Sequence, residues 1–184
     1  MFDKMREDIR TICERDPAAR SALEVMLLYN GYKAVRSHAR SAFFYRHGMK
    51  FLARWISQRC VRRTNIEIHP AAKIGRRFFI DHGTGVVIGE TAVIGAHVKL
   101  YQGVTLGAKS FAVQPDGTLV KGRKRHPDIG SNVVIYAGAT ILGGGTKIGD
   151  GCVIGGNVWL THSVDPGKRV LTAREQTELI TADI

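Results

Sequence analysis

The sequence predicts an α+β protein in which an N-terminal helical cap precedes a left-handed parallel β-helix of hexapeptide repeats. An aliphatic residue recurs every six residues between Ile68 and Leu160, often followed by Gly, and a small or branched residue comes four positions later. A fixed hexapeptide period is typical of a parallel β-helix, in which three units form one coil. The aliphatic residues then stack from coil to coil, so that neighbouring coils stabilise one another. The repeats begin at Ile68, Ile74, Ile80, Ile88, Ile94, Leu100 and Leu106, and again at Ile129, Ile135, Ile141, Ile148, Ile154 and Leu160.

The chain divides into three predicted regions. Residues 1–63 form a helical domain, residues 64–166 form the β-helix with an extruded loop at 108–128, and residues 167–184 form a C-terminal tail. The loop interrupts the repeat and contains a Pro-Asp-Gly turn signal together with a basic cluster. Long loops on rigid scaffolds often carry binding groups, so we expect this loop to contribute to function.

Three helices are predicted in the first region from their apolar spacing. The first begins with Asp16 as N-cap and Pro17 at the first helical position. The second begins near Tyr32 and is broken at His47 and the glycine after it, and the third begins at Met49.

The repeat changes its step in two places. From Ile80 to Ile88 the step is eight residues, and the additional pair falls within Asp-His-Gly-Thr-Gly at 81–85. From Ile141 to Ile148 the step is seven. A local rule broken at a charged and glycine-flanked position is where function is expected, which draws attention to His82.

Charge is unevenly distributed along the chain. The formal net charge is +11, and no Asp or Glu occurs from residue 25 to residue 66. This is compatible with binding to nucleic acid, a membrane surface or a phosphorylated small molecule, and equally with a solvated helical face. No DNA-binding motif, membrane-length apolar run or apolar signal-peptide core is present, so we expect no nucleic-acid or membrane partner and a cytoplasmic location.

The three cysteines, Cys13, Cys60 and Cys152, lie far apart and form no CxxC pair. Neither a disulfide framework nor a zinc knuckle is therefore indicated. Cys152 occupies the small inward position of a repeat, where packing in the core is expected.

His82 is the candidate general base, because an imidazole titrates near neutral pH and can take a proton from a hydroxyl group. Glu67 lies fifteen residues earlier, about one coil away, where it could orient the ring. The spacing alone leaves open that His82 is only a solvent-facing corner residue.

Four motifs occur in order along the chain: Glu-Ile-His-Pro-Ala-Ala-Lys-Ile-Gly from residue 67, Ile-Asp-His-Gly-Thr-Gly-Val-Val-Ile-Gly-Glu-Thr from 80, Val-Thr-Leu-Gly from 104 and Arg-His-Pro-Asp-Ile-Gly from 125. Two further segments lie in the helical domain, Arg-Asp-Pro-Ala from residue 15 and Asn-Gly-Tyr-Lys-Ala from residue 30. Together these segments resemble the serine O-acetyltransferase family over about residues 14–165. The Asp-His-Gly-Thr-Gly and Arg-His-Pro combination is more specific than the hexapeptide pattern, which unrelated acyltransferases share.

The resemblance implies acetyl transfer from acetyl-CoA to the hydroxyl of L-serine, giving O-acetyl-L-serine for cysteine synthesis. It assigns His82 as general base and places Glu67 where the family usually has Asp. A small zwitterion needs an anionic and a cationic clamp, and Arg suits a carboxylate through its planar fork. The matching clamp residues are Asp16 and Asp81 for the ammonium group, and Arg125 and His126 for the carboxylate.

Acetyl-CoA is implied as co-substrate, with no metal and no covalent acyl-enzyme. The positions that match the groove for its pantetheine arm are Gly107, Ala108 and Ala137. Phosphate partners are expected among basic residues of the long loop, although these could equally be solvated. They are Lys109, Lys121, Arg123 and Lys124.

The resemblance also implies partners. A homotrimer is expected because the grooves form between subunits, while pairing of two trimers stays open because the helical domain is shorter than in the longer members. In the family a C-terminal Ile enters the active site of O-acetylserine sulfhydrylase, and the last residue here is Ile184.

Three alternatives stay open at this stage. One is a hexapeptide acyltransferase acting on a sugar or an antibiotic, which would not need both clamps. Another is the γ-class carbonic anhydrase, although the histidines lack the close pair on one coil that its zinc requires. The third is a scaffold without catalytic activity.

Overall fold

The computed structural model describes residues 2–111 and 113–172. Within them, four helices precede the predicted coil of short parallel strands, and the break at His47 is confirmed. None of these helices combines the length and the apolar character needed to cross a bilayer. The helices are α1 (Phe2–Arg15), α2 (Ala22–Leu28), α3 (Asn30–Arg46) and α4 (Lys50–Thr64).

The predicted helix start at Asp16 is wrong. Helix α2 begins after Ser21, whose Oγ accepts a hydrogen bond of 3.2 Å from the backbone N–H of Glu24. Asp16 instead forms a tight turn, because its Oδ1 accepts from the backbone N–H of Ala18 at 2.9 Å. Both segments carry N-cap signals, and the helix begins at the one with the Ser-x-x-Glu pattern of a capping box.

Fourteen strands of two or three residues are present in the described residues, and each of the predicted aliphatic repeat positions lies on one of them. They are β1 (Glu67–Ile68), β2 (Lys73–Ile74), β3 (Phe79–Ile80), β4 (Val87–Ile88), β5 (Val93–Ile94), β6 (Lys99–Leu100), β7 (Thr105–Gly107), β8 (Asp128–Ile129), β9 (Val134–Ile135), β10 (Thr140–Leu142), β11 (Lys147–Ile148), β12 (Val153–Ile154), β13 (Trp159–Leu160) and β14 (Arg169–Val170).

The strands form three parallel sheets, one on each face of the coil, as the period of three units predicts. The first face has the order β1-β4-β7-β10-β13, the second β11-β8-β5-β2, and the third β14-β12-β9-β6-β3. On the first face Ile68 pairs with Ile88, Ile88 with Leu106, and Leu106 with Ile141, so the aliphatic residues stack in register. The predicted left-handed parallel β-helix is thereby confirmed.

The core of the β-helix consists of these stacked aliphatic side chains. Ile88, Leu106 and Ile141 are fully buried, and burial of each such side chain stabilises the fold by roughly 1.5–3 kcal/mol. Cys152 is also fully buried, as expected from its small inward position. Its thiol lies 3.0 Å from the carbonyl oxygen of Asp165, to which it donates a hydrogen bond.

The β-helix extends past residue 166, where we expected it to end. Strand β14 pairs with β12 in parallel, with Val153 opposite Arg169. The apolar repeat has faded there, but backbone pairing continues. The remainder of the predicted tail, residues 173–184 with Ile184, lies outside the described residues.

The helical domain packs against the third face and against the first coil. Ile12 of α1 and Val25 of α2 pack together with Phe79 of β3. Helix α3 approaches so closely that a Cβ added at Gly31 would lie 2.0 Å from the carbonyl oxygen of Ile80, which explains the glycine. This packing holds the turn between α1 and α2 beside the corner that carries His82.

Candidate active site

His82 projects from the corner between β3 and β4, where the repeat gains its two additional residues. His82 and the two glycines that follow, Gly83 and Gly85, have φ angles of 56°, 88° and 77°, which lie in the left-handed region. Gly83 has no space for a side chain, because an added Cβ would lie 2.5 Å from Cδ1 of Ile66. The tight turn leaves the His82 side chain 72% exposed, so its ring is accessible to a substrate.

Asp81 precedes His82 and is held by a lysine that the sequence did not single out. Lys99 Nζ lies 2.9 Å from Asp81 Oδ2 and stands over the ring of Tyr101 at 4.5 Å. Burial opposes the charge on Lys99, but hydrogen bonds to Tyr101 and Asp81 raise its pKa above the ordinary value. Asp81 Oδ1 lies 4.0 Å from His82 Nε2, so this carboxylate lies between the lysine and the histidine.

Asp16 joins the same corner from the turn between α1 and α2. Its Oδ2 accepts a hydrogen bond of 2.8 Å from the hydroxyl of Tyr29. Burial raises the pKa of Tyr29 to about 12, and the hydrogen bond to Asp16 and the charge of Asp81 act in the same direction. One carboxylate therefore bonds the Tyr29 hydroxyl and the other acts on it through space, and we name Asp16, Tyr29, Asp81 and His82 the acidic cluster.

Arg125 and His126 lie at a different corner, between the first and second faces. The Arg125 guanidinium forms an ion pair with Glu90, which also accepts a hydrogen bond of 3.4 Å from the hydroxyl of Tyr45. Burial opposes ionisation of Glu90, but the hydrogen bond and the charge of Arg125 hold its pKa below the ordinary value. Glu90 is therefore ionised at neutral pH and anchors the arginine.

Thr91 holds the backbone of both residues. Its Oγ1 accepts hydrogen bonds from the backbone N–H groups of Arg125 and His126, at 2.9 and 3.0 Å. The backbone N–H of Thr91 donates to Nδ1 of His126 at 3.1 Å, so Nδ1 is an acceptor and the proton of the neutral ring lies on Nε2. Burial and the charge of Arg125 lower the pKa of His126 to about 4, which keeps the ring neutral. We name Glu90, Thr91, Arg125 and His126 the basic cluster.

The two clusters lie at the two ends of strand β4. Residues 81–85 precede the strand, and Glu90 and Thr91 follow it, with four residues between the two segments. At about 3.3 Å per residue in a strand, the backbones of the two segments are about 13 Å apart. Within one chain the structure therefore groups Asp16 with Asp81 and groups Arg125 with His126, but it does not bring the two pairs together.

Glu67 lies on the outward side of the first face. It pairs with Val87 in the neighbouring coil, and its Oε1 is 3.9 Å from Nη2 of Arg54. Among the described residues no hydrogen bond or ion pair joins Glu67 to His82. The role of Glu67 in orienting the imidazole stays a prediction.

The positions expected to bind acetyl-CoA lie at two corners. Gly107 ends β7 at the corner of the basic cluster, while Ala137 precedes β10 at the corner of His82. An open pocket of about 430 Å³ lies beside Gly107 and is lined by Lys109, Arg123 and the glycines at 143–145. Of the other two basic loop residues, Lys124 also lines it and Lys121 does not.

Two of these loop residues differ in their partners. Lys124 Nζ donates to the carbonyl oxygen of Thr91 at 2.6 Å and lies 2.5 Å from Asp128 Oδ1, so it ties the loop to the coil. Arg123 has no ion pair with an acidic side chain of the described residues. Within the same residues no group of three or more His, Cys, Asp or Glu side chains is arranged to hold a metal ion.

Sequence reasoning gave no role to Tyr29, Lys99, Glu90 or Thr91. Glu90 and Thr91 were visible in the motif that begins at residue 80, but only the fold shows that they meet the loop. Tyr29 and Lys99 carried no signal, because a tyrosine near a helix end and an outward lysine on a strand are common.

The sequence matches two family models. The model described as "Serine acetyltransferase, N-terminal" matches residues 1–37, and the model described as "Hexapeptide repeat of succinyl-transferase" matches residues 128–162. The first covers the turn that carries Asp16, and the second covers the coils beyond the loop.

Curated relatives extend the likeness over most of the chain. A plasmid serine acetyltransferase of Synechococcus elongatus is 50% identical over 171 residues, which are 93% of this chain and 53% of the relative. The serine acetyltransferase of Staphylococcus epidermidis is 51% identical over 164 residues, 89% of this chain and 72% of the relative. The chain thus spans about half the length of the first relative.

Solved structures agree with the fold. The serine acetyltransferase of Neisseria gonorrhoeae, solved in complex with serine, superposes with a TM-score of 0.83 at 34% identity, covering 93% of this chain and 66% of that one. Isoform 3 from Entamoeba histolytica, solved in complex with cysteine, superposes with a TM-score of 0.85 at 37% identity, covering 99% and 64%. Since it is half identical to a serine acetyltransferase of which it covers 72%, the chain belongs to the serine acetyltransferase family.

Proposed function

We propose that the chain transfers the acetyl group of acetyl-CoA to the hydroxyl of L-serine, giving O-acetyl-L-serine and CoA in cysteine biosynthesis. The observation that carries the proposal is the pair of clusters at the two ends of β4, one with the carboxylates of Asp16 and Asp81 beside the exposed His82, and the other with the guanidinium of Arg125. A serine complex of a relative with the same fold supports the substrate. We place the reaction in the cytoplasm, where acetyl-CoA is available.

The charges of the two clusters suit a small zwitterion. The carboxylates of Asp16 and Asp81 would bind the ammonium group of serine. Arg125 and the Nε2–H of neutral His126 would bind its carboxylate, the arginine through its planar fork. A substrate held at both charged ends leaves its hydroxyl free to face His82.

The distance between the clusters leads us to a site shared by two subunits. A backbone separation of about 13 Å is longer than one serine molecule, and on this ground we propose that the acidic cluster of one subunit meets the basic cluster of the next. Exposed apolar residues on the outward side of the first face, Trp159 at 67% and Val87 at 36%, suit such an interface. A closed ring of three copies presents one such site at each interface, so we propose a homotrimer, alone or paired with a second trimer.

The chemistry is direct transfer with general-base catalysis. His82 removes the proton of the serine hydroxyl while the oxygen attacks the thioester carbonyl of acetyl-CoA. The tetrahedral intermediate then breaks its C–S bond, and the imidazolium returns the proton to the leaving thiolate. Glu67 would orient the ring and stabilise its charged form. A positioned base of this kind contributes about 10²–10⁴ in rate.

Acetyl-CoA would lie between neighbouring subunits. Its phosphates suit the pocket beside Lys109 and Arg123, where the basic side chains provide the counter-charge. Its pantetheine arm would extend past Gly107 and Ala108 towards Ala137 of the adjacent subunit, near the corner that carries His82. The expected contact of Ile184 with O-acetylserine sulfhydrylase stays a prediction, because that residue lies outside the described part of the chain.

The proposal is tested by comparing acetyl acceptors. Release of the CoA thiol from acetyl-CoA is measured with L-serine, L-homoserine and an amino sugar in parallel. We expect rapid release with L-serine, slower release with homoserine because its hydroxyl is one methylene further out, and none with the sugar. Release with the amino sugar but not with serine would show that the chain is a hexapeptide acyltransferase of another class.

A further inference from the structure

A second pocket, of about 480 Å³, lies between the helices of the N-terminal domain. None of the eight residues of the two clusters lines it. Five basic side chains line it, and no acidic side chain is among its lining residues. The five are Lys33, Arg36, Arg40, Arg59 and Arg63.

Arg36 is the unusual member of this set. Its side chain is buried, with a relative exposure of 9%, yet its guanidinium has no hydrogen bond or ion pair with any residue that the structure describes. None of its guanidinium nitrogens is both fully buried and without a partner, so the charged group keeps contact with solvent in the pocket that it lines. A charge that no described acidic side chain pairs with is available to an anion that enters the pocket.

The nearest acidic group does not supply that partner. Asp8 interacts with Arg36 through space, but it is more than 4 Å away and does not line the pocket. Burial raises the pKa of Asp8, which opposes its ionised form. The remaining four basic residues form no ion pairs among the described residues either, so the pocket keeps a large positive charge.

The rest of the lining is apolar. Tyr32 and Phe44 of α3 and Ile56 of α4 contribute, together with Met26 of α2. A pocket of this size that combines an apolar floor with a few convergent charges is typical of a small-molecule site. Inorganic phosphate would bind the basic side chains but would not contact the apolar part of the lining.

We propose that the helical domain binds an organic phosphate, with its dianionic group on Arg36 and its apolar body on the floor formed by Tyr32 and Ile56. This site is separate from the proposed acetyl transfer and does not depend on it. It also gives a physical role to the acid-free stretch from residue 25 to residue 66, which no part of the proposed reaction requires.

Calorimetric titration of the full chain with phenyl phosphate tests the proposal, with inorganic phosphate and phenol as the two partial probes. We expect one saturable site for phenyl phosphate and binding at least about tenfold weaker for either partial probe, since each lacks half of the recognition. Phosphate binding as tight as phenyl phosphate, or no saturable binding of phenyl phosphate, would overturn the proposal.

The variant Arg36→Gln should weaken phenyl phosphate about tenfold, because a charge-assisted hydrogen bond is lost. Arg62→Gln is the control, since this exposed arginine lies on α4 next to the pocket residue Arg63 but does not itself line the pocket. If Arg36→Gln does not fold, Arg40→Gln at the exposed rim should still weaken binding about threefold. Equal losses in the Arg62 and pocket variants would show a non-specific basic surface and refute the site.

Discussion

The hydroxyl of Tyr29 donates a hydrogen bond to Oδ2 of Asp16 across 2.8 Å, while Oδ1 of the same carboxylate accepts from the backbone N–H of Ala18. Both oxygens of Asp16 are therefore fixed before any substrate arrives. Each keeps a lone pair for a further donor. In the proposed reaction that donor is the ammonium group of serine, which makes Tyr29 a positioning residue.

Replacement of Tyr29 by Phe removes this hydrogen bond and keeps the ring. We expect KM for serine to rise about tenfold, as a hydrogen bond to a charged group is lost, with kcat changed little. Steady-state kinetics at saturating acetyl-CoA measure both constants. Tyr32→Phe makes the same change three residues later without touching Asp16, and an equal rise in KM there would contradict the assignment.

The proposed shared site predicts complementation between two inactive variants. His82→Ala lacks the base and Arg125→Ala lacks the carboxylate clamp, so each alone should be inactive. In trimers assembled from an equal mixture, about a quarter of the interfaces combine an intact His82 with an intact Arg125. After co-refolding, activity should recover to about a quarter of the wild-type value. If each site is contained within one chain, the mixture would stay inactive, and this result would contradict the shared site.

The pocket beside Gly107 predicts a role for the basic loop in recognising CoA. Arg123→Ala should raise KM for acetyl-CoA about tenfold and leave KM for serine unchanged, because one phosphate contact is lost. Lys121→Ala is the loop control, since Lys121 does not line the pocket.

The same variant can be tested for which phosphate it contacts. Acetyl-CoA lacking the 3′-phosphate should bind less well to the wild type. If Arg123 binds that phosphate, removing the 3′-phosphate should cause no further loss of affinity in Arg123→Ala. A penalty of the same size in both proteins would place Arg123 elsewhere on the nucleotide.

Two buried histidines predict loss of stability in mild acid. Burial lowers the pKa of His38 to about 4, and the pKa of His126 is lowered likewise. These histidines therefore bind protons below about pH 6.5 in the unfolded chain, but only below about pH 4 in the folded chain. The free energy of unfolding falls as the pH falls through this window, because the unfolded state binds more protons. His38 alone should lower the free energy of unfolding by about 2 kcal/mol between pH 7 and pH 5.

Urea unfolding at a series of pH values measures this effect. The His38→Gln variant can still donate to the carbonyl oxygen of Ala72, which His38 contacts at 3.1 Å. The free energy of unfolding of this variant should depend much less on pH than that of the wild type. His47→Gln removes an exposed histidine as the control, and a curve flattened as much in that variant as in His38→Gln would refute the account.

Much of the fold was predictable because the hexapeptide period fixes which residues face inward, and Ile88 and Leu106 stack where the pattern requires. The start of α2 was not predicted, because Asp16 and Ser21 both carry N-cap signals, and the capping-box pattern at Ser21 was not weighed against the Asp-Pro pair. Strand β14 was missed because its pairing depends on backbone hydrogen bonds rather than on an aliphatic repeat.

The candidate site was predictable only in part. Its charged residues lie in distinctive motifs, whereas the contacts that hold them join residues far apart in sequence. Thr91 meets Arg125 across thirty-four positions, and Tyr45 meets Glu90 across forty-five. Such pairs depend on how the loop folds back on the coil, which local patterns do not specify.

In the proposed reaction this chain acetylates serine with His82 as the base. The most direct measurement is serine-dependent release of CoA by the wild type and by His82→Ala, with the trimer content of both checked. We predict that release requires serine and that the variant loses about 10²–10⁴ in kcat with KM for acetyl-CoA little changed. Wild-type turnover in His82→Ala, or thiol release that does not depend on serine, would contradict the account.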